Sequence, residues 1–86
     1  MARAVRLRFY GRLREAAGGA ERQVALPEHV QTADELVAWI AGGDGALGEA
    51  LARPSVKVAA GETIIPRDAD IRQAAEIAFL PPFSGG

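Results

Sequence analysis

The residues best placed to do chemistry are Gly85 and Gly86, which follow Pro81-Pro82-Phe83-Ser84 at the end of the sequence. Two residues without side chains make a thin strip of backbone that fits a narrow channel and adopts dihedral angles other residues refuse. They also leave the Gly86 carboxylate unshielded. With a pKa of about 3.3 to 3.7 such a group is ionised near neutral pH and is a poor electrophile, so it reacts only after activation. An acyl-adenylate formed there by another protein is open to displacement by a thiol, a persulfide or an amine. Nothing else in the chain supplies a base, a nucleophile or a Walker loop for that step, so the protein reads as a carried reactant more than a catalyst. At about 7% average glycine usage, two terminal glycines arise by chance in roughly one chain in 200.

Composition closes other routes. There is no cysteine, which removes disulfides, thiolate nucleophiles and cysteine metal sites together. His29 is the only histidine and follows Pro27 closely, where it reads as a solvated loop residue, so no histidine-rich metal site is expected. Ten basic and eleven acidic residues are spread along the chain, giving no field that favours nucleic acid or an anionic membrane. No run approaches the roughly 18 apolar residues of a membrane span, and the start lacks the apolar region of a secretory signal. The cytoplasm is the expected compartment. Nine of the ten basic residues are arginine; Arg12 and Arg14 are candidates for a docking surface, and Lys57 is the single lysine.

The rest of the sequence must hold the tail out. At 86 residues it suits one domain, residues 1–80, carrying an extended tail, residues 81–86. Val5, Leu7 and Phe9 alternate with Arg6, Arg8 and Tyr10, the period of a strand with one buried face. A short helical turn over 12–17 ends at Gly18-Gly19, and a second strand runs from Glu21 to Leu26, closed by Pro27. Thr32-Ala33-Asp34-Glu35 has the form of a capping box. The helix it opens places Ala33, Leu36, Val37 and Ile40 on one face, with Gly42-Gly43 as its stop and Trp39 on its flank. A second short helix is expected over 45–52, then strands around Val56 and Val58, over Thr63-Ile64-Ile65, and from Glu76 to Leu80. The class is α+β: a mixed sheet of four to five strands with one main helix across one face. Pro81 and Pro82 stiffen the root of a tail that reaches roughly 18 to 20 Å.

These features resemble the small, sulfur-carrying subunit of molybdopterin synthase, a ubiquitin-like β-grasp family. The run from Glu76 through Phe79-Leu80-Pro81-Pro82-Phe83-Ser84-Gly85-Gly86 carries the likeness most specifically, and Leu13-Arg14-Glu15-Ala16-Ala17-Gly18 supports it. The resemblance implies that Gly86 is adenylated by an activating enzyme of the ubiquitin-activating type, which uses ATP, and is then converted to a thiocarboxylate with sulfur from a donor. The chain itself would bind no cofactor. The tail residues Pro81, Pro82, Phe83 and Gly85 would enter the large synthase subunit, in a two-plus-two heterotetramer, and deliver sulfur to molybdopterin. Phe79, Leu80 and Arg14 would belong to the docking surface, although alternation lets only one of Phe79 and Leu80 face outward. Two positions depart from the family: Ala59 stands where asparagine is frequent, and Gln73-Ala74-Ala75-Glu76 replaces an Asp-Gly turn. A protein modifier, a carrier for tRNA thiolation or thiamine, and a non-covalent β-grasp interaction domain are the alternatives.

Overall fold

In the computed structural model, residues 2–82 are described. The chain begins with β1 (Arg3–Phe9), whose Val5, Leu7 and Phe9 are buried as alternation predicts. Helix α1 (Leu13–Ala17) follows a turn and stops at Gly18, which sits at φ +79° and donates its amide to the Arg14 and Glu15 carbonyls. Strand β2 (Glu21–Leu26) returns antiparallel to β1.

Helix α2 (Ala33–Gly43) opens with the expected box. The Glu35 amide donates to Thr32 Oγ1 at 3.2 Å, and Glu35 Oε1 accepts from the amides of Thr32 and Gln31, each at 3.0 Å. The bond from the Gln31 amide is the main reason the Glu35 carboxyl is held below its ordinary pKa. Ala33, Leu36, Val37 and Ile40 are all buried, and Trp39 packs half-buried on the edge of the core. The helix ends at Gly43, in keeping with the expected Gly42-Gly43 stop, and Asp44 is the residue that caps it. Asp44 ends it because it must also begin the next one: its backbone is extended and its carboxylate accepts from the Leu47 amide at 3.1 Å, capping α3 (Gly45–Ala52). The two helices meet where Gly48 lies against Ala41, too close for any side chain.

Strands β3 (Lys57–Ala60) and β4 (Thr63–Ile65) form a hairpin turned at Gly61, and β5 (Glu76–Leu80) ends the described fold. The five strands lie in the order β2-β1-β5-β3-β4, with β1 and β5 parallel and every other pair antiparallel. The chain's first and last strands thus share the centre of the sheet. The helices supply Leu13, Leu36, Val37, Ile40, Leu47 and Leu51 to one core with the inward residues of the sheet. Phe9 and Phe79 stack across the parallel pair, ring centroids 5.7 Å apart.

Two arginines fasten the long approach to β5, a role that composition alone does not show. Arg3 donates to the carbonyls of Ile71 and Ala74, spanning more than 65 residues of sequence, and Arg67 donates to those of Arg53 and Val56. The atypical Gln73-Ala74-Ala75-Glu76 stretch is held by Arg3 on the Ala74 carbonyl, by the Arg6 amide on the Ala75 carbonyl and by the Gly61 amide on the Glu76 carbonyl, among other bonds.

Candidate functional site

The root of the tail is set by the strand that precedes it. Strand β5 is hydrogen-bonded on both sides: Phe79 pairs with Phe9 on β1 and Val58 on β3, and Leu80 pairs with Lys57. The Tyr10 amide closes the ladder on the Phe79 carbonyl at 3.2 Å. A strand held in the middle of a sheet cannot slide or fray as an edge strand does, so Pro81 leaves from a fixed point.

Pro81 then rests on Gly11. A Cβ on Gly11 would fall 2.8 Å from Pro81 Cγ, and Gly11 itself has φ +57°, so this turn needs glycine both for its conformation and for its closeness to the proline. Arg14 lies exposed on the adjoining α1 and donates from Nε to the Gly11 carbonyl at 3.3 Å, bracing the turn that Pro81 touches. Pro81 is half-buried and Pro82 exposed. Phe83, Ser84, Gly85 and Gly86, which carry the central chemical expectation, lie outside the described residues.

The docking expectation for Phe79 is corrected: its side chain is fully buried, stacked on Phe9 in the core. Leu80, one residue on, is the member of the pair with surface to offer, because successive residues of a strand point to opposite faces. The sheet face turned away from the helices carries a row in register: Ile64 beside Ala59, Ala59 beside Ala78, and Ala78 beside Arg8. Ala59, where the family often has asparagine, and Ala78 form a low floor, only 6% and 7% exposed. Ile64 rises from this row at 62% exposure and Tyr10 is 40% exposed. The alternation of β1 sets Tyr10 on the wet face, but sequence reasoning missed Ile64. The Ile64-Ile65 doublet in a three-residue strand held the signal, since only one of two neighbours can face inward.

Charge frames this face. Arg8 reaches Glu76 at 3.2 Å and lies 5.6 Å from the centre of the Tyr10 ring, and these contacts, the Glu76 hydrogen bond first, hold its guanidinium more firmly protonated. Among the described residues no three His, Cys, Asp or Glu side chains come together as a metal site, and no helix is long and apolar enough to cross a membrane. His29 is exposed.

Comparison with known proteins places this geometry. Small archaeal modifier protein 1 (SAMP1) from Haloferax volcanii superposes with a TM-score of 0.79 at 19% identity, covering 98% of this chain and all of that one. Small archaeal modifier protein 1 from Methanosarcina acetivorans gives 0.77 at 20% identity over 100% of this chain and 99% of its own. A Pyrococcus furiosus protein described as molybdopterin converting factor, subunit 1, gives 0.73 at 20% identity over 93% of this chain and 98% of its own. At these identities the likeness shows the fold, which is the ubiquitin-like β-grasp that the sequence led us to expect. Searching the curated protein sequences gave no match. The sequence matches the ThiS family from residue 7 to residue 86, tail included, and the chain therefore belongs to that family.

Proposed function

We propose that the protein carries sulfur on its C-terminal glycine for the synthesis of molybdopterin. The observation behind this is the exit of a Pro-Pro-x-x-Gly-Gly end from the central, doubly paired strand of a ThiS-family fold, at a point fixed by the contact between Pro81 and Gly11. Gly86 contributes its carboxylate and Gly85 keeps the strip of backbone narrow. An adenylyltransferase of the ubiquitin-activating type couples the carboxylate to ATP with release of pyrophosphate. The outer sulfur of a persulfide-class donor then displaces AMP to give an acyl disulfide. A second thiol on the donor cleaves the S–S bond and is left paired with the first as a disulfide, and the thiocarboxylate so released enters the large synthase subunit in a two-plus-two assembly. Two carriers are consumed per dithiolene, the work is cytoplasmic, and the carrier binds no cofactor of its own. Leu80, on the sheet face turned from the helices, and Arg14, on α1 beside the Gly11 turn, are the docking candidates near the tail root.

Intact mass of the protein from its native host tests this: one terminal oxygen is expected to be replaced by sulfur, and the species should vanish on deletion of Gly86. If activating enzyme, ATP and sulfur donor yield neither adenylate nor thiocarboxylate, the carrier reading is lost and a non-covalent interaction domain takes its place. A second reading, attachment of Gly86 to a target amine, shares the activation step and accords with the two archaeal modifier structures. Adding the thiocarboxylate form to the synthase large subunit and its pterin precursor separates the two. Formation of the dithiolene supports the first, and amide conjugates without dithiolene support the second.

A further inference from the structure

The ten basic residues divide into three groups by what holds them. Arg6, Arg8, Arg22 and Arg72 each face a carboxylate, of Glu21, Glu76, Asp44 and Asp70 in turn. Arg3 and Arg67 each donate to two backbone carbonyls. The remaining four, Arg12, Arg14, Arg53 and Lys57, are exposed and have no carboxylate partner among the described residues. All four stand around the root of the tail. Arg12 and Arg53 line a groove of about 300 Å³ between α1 and α3, in which Pro81 and Pro82 form one wall and the almost wholly buried Leu13 and Val56 form the floor. Arg14 braces the Gly11 turn on which Pro81 rests. Lys57 lies opposite Leu80 in the β3–β5 register, on the outer face of the sheet, since its neighbour Val58 is buried on the helix side. Unpaired cations therefore flank the exit of the chain on both sides of the sheet.

We infer that this end of the molecule docks an acidic protein surface: the activating enzyme presents carboxylates to Arg12, Arg53 and Lys57 and seats an apolar side chain on the Leu13–Val56 floor. Charge and shape favour this occupant. Four cations beside Glu15, the single acidic residue lining the groove, make a local surplus that the chain as a whole, at a net charge of −1, does not have. They are spread over two faces of the sheet, whereas a phosphate group needs donors that converge on one point. The apolar floor beside Arg12 and Arg53 also asks for a hydrophobic group, which a bare anion does not supply. Attraction between such a rim and an acidic surface acts at a distance, so it speeds encounter more than it strengthens the finished complex. The inference rests on the reading that an activating enzyme takes the tail, and it names the surface which that enzyme presents.

The experiment is surface plasmon resonance of the full-length chain on its activating enzyme, without ATP, at about 50 mM and about 500 mM salt, between which the screening length falls roughly threefold. The Arg12→Gln/Arg53→Gln/Lys57→Gln variant is compared with the wild type and with Arg6→Gln/Arg22→Gln/Arg72→Gln, which removes the same charge from paired positions, after thermal melting shows that all three are folded. At low salt the first variant should associate about three- to tenfold more slowly, with dissociation little changed, and the gap should close at high salt. Once ATP is added, its adenylation should show the same loss in kcat/KM with kcat unchanged. The control variant should associate as the wild type does. Wild-type association that is absent, or insensitive to salt, overturns the inference. An equal loss in the two variants also overturns it, since net charge alone would then explain the rate. So does a loss that appears only with ATP present, which would assign the cations to the nucleotide's phosphates. Salt-dependent binding of a wild-type chain that is never adenylated removes the carrier reading instead and leaves the docking surface standing.

Discussion

The two faces of the sheet are made from the same strands and obey different rules. The helix side is filled by large side chains in mutual contact, with Phe9, Phe79, Leu7, Ile77 and Val58 all at or below 1% exposure. The outer side is also closed to water at its centre, but by small residues, Ala59 and Ala78, lying low among Arg8, Leu80 and Ile64. Burial on the first face comes from interdigitation and carries stability. On the second it comes from the overhang of neighbours and leaves a shallow apolar floor with a raised isoleucine, a shape suited to a partner. Burial alone therefore misleads at β5, where Ala78 and Phe79 are adjacent and both buried yet belong to opposite faces.

The sharpest way to break this contrast is to truncate the helix side. Phe79→Ala removes a fully buried ring and leaves Phe9 without its stacked neighbour, so a loss of about 3 to 5 kcal/mol is expected in urea unfolding. For a domain of this size that is a large part of the whole. A loss below 1 kcal/mol would mean that the ring is not core. Gly48→Ala tests the same layer by adding volume. The new Cβ would sit 2.3 Å from Ala41 Cβ and 2.5 Å from its Cα, and backbone cannot swing aside as a side-chain tip can. Overpacking costs about 1 to 3 kcal/mol, which should exceed the roughly 1 kcal/mol gained from replacing glycine in a helix. A stabilised variant would show that the α2–α3 contact is loose.

Ile64→Ser then addresses the outer face. Because the side chain is 62% exposed, unfolding free energy should change by no more than about 0.5 kcal/mol. Binding to the activating enzyme or the large subunit, measured by calorimetry, should weaken if this face docks. Unchanged affinity together with unchanged stability would leave Ile64 with no assigned role.

How much of this was legible in the sequence depended on whether the cause was local. The alternation of Val5, Leu7 and Phe9, the Thr32–Glu35 box and the Gly18 stop each follow from neighbouring residues, and each is found in place. The Gly42-Gly43 stop is also found in place, α2 ending at Gly43, whereas the double role of Asp44 as the cap of both helices appears only in the fold. The choice between Phe79 and Leu80 could not be made from β5 alone, since it depends on which face of β1 holds Phe9 opposite. The clamps from Arg3 and Arg67 and the contact of Gly48 with Ala41 join residues that only the tertiary fold brings together. The chemistry expected of Gly85-Gly86 falls on residues outside the described ones, Phe83 to Gly86.

The smallest expected effect lies away from both faces, in the loop that leads to β5, where it separates fastening by charge from fastening by packing. Asp70 accepts from Arg72 Nε at 3.0 Å, from Nη2 at 2.7 Å and from the Arg72 amide at 2.8 Å. Chiefly through the side-chain bond, these contacts lower its pKa from 3.8 to about 2. A carboxyl whose pKa falls on folding adds stability that is fully present above its unfolded value and is lost as pH drops through its folded value. The Asp70 contribution is thus expected whole above pH 5 and should disappear between about pH 4 and pH 2. An asparagine side chain cannot ionise, so Asp70→Asn should melt slightly lower than the wild type at pH 5, and the two should converge near pH 2. Both partners are more than half exposed, so the gap should be small and should shrink in high salt. Thermal midpoints at pH 5, 3 and 2 decide the matter. A gap that stays constant across that range would mean that the loop is held by its backbone bonds and by Arg3, and that the Asp70–Arg72 pair only decorates it.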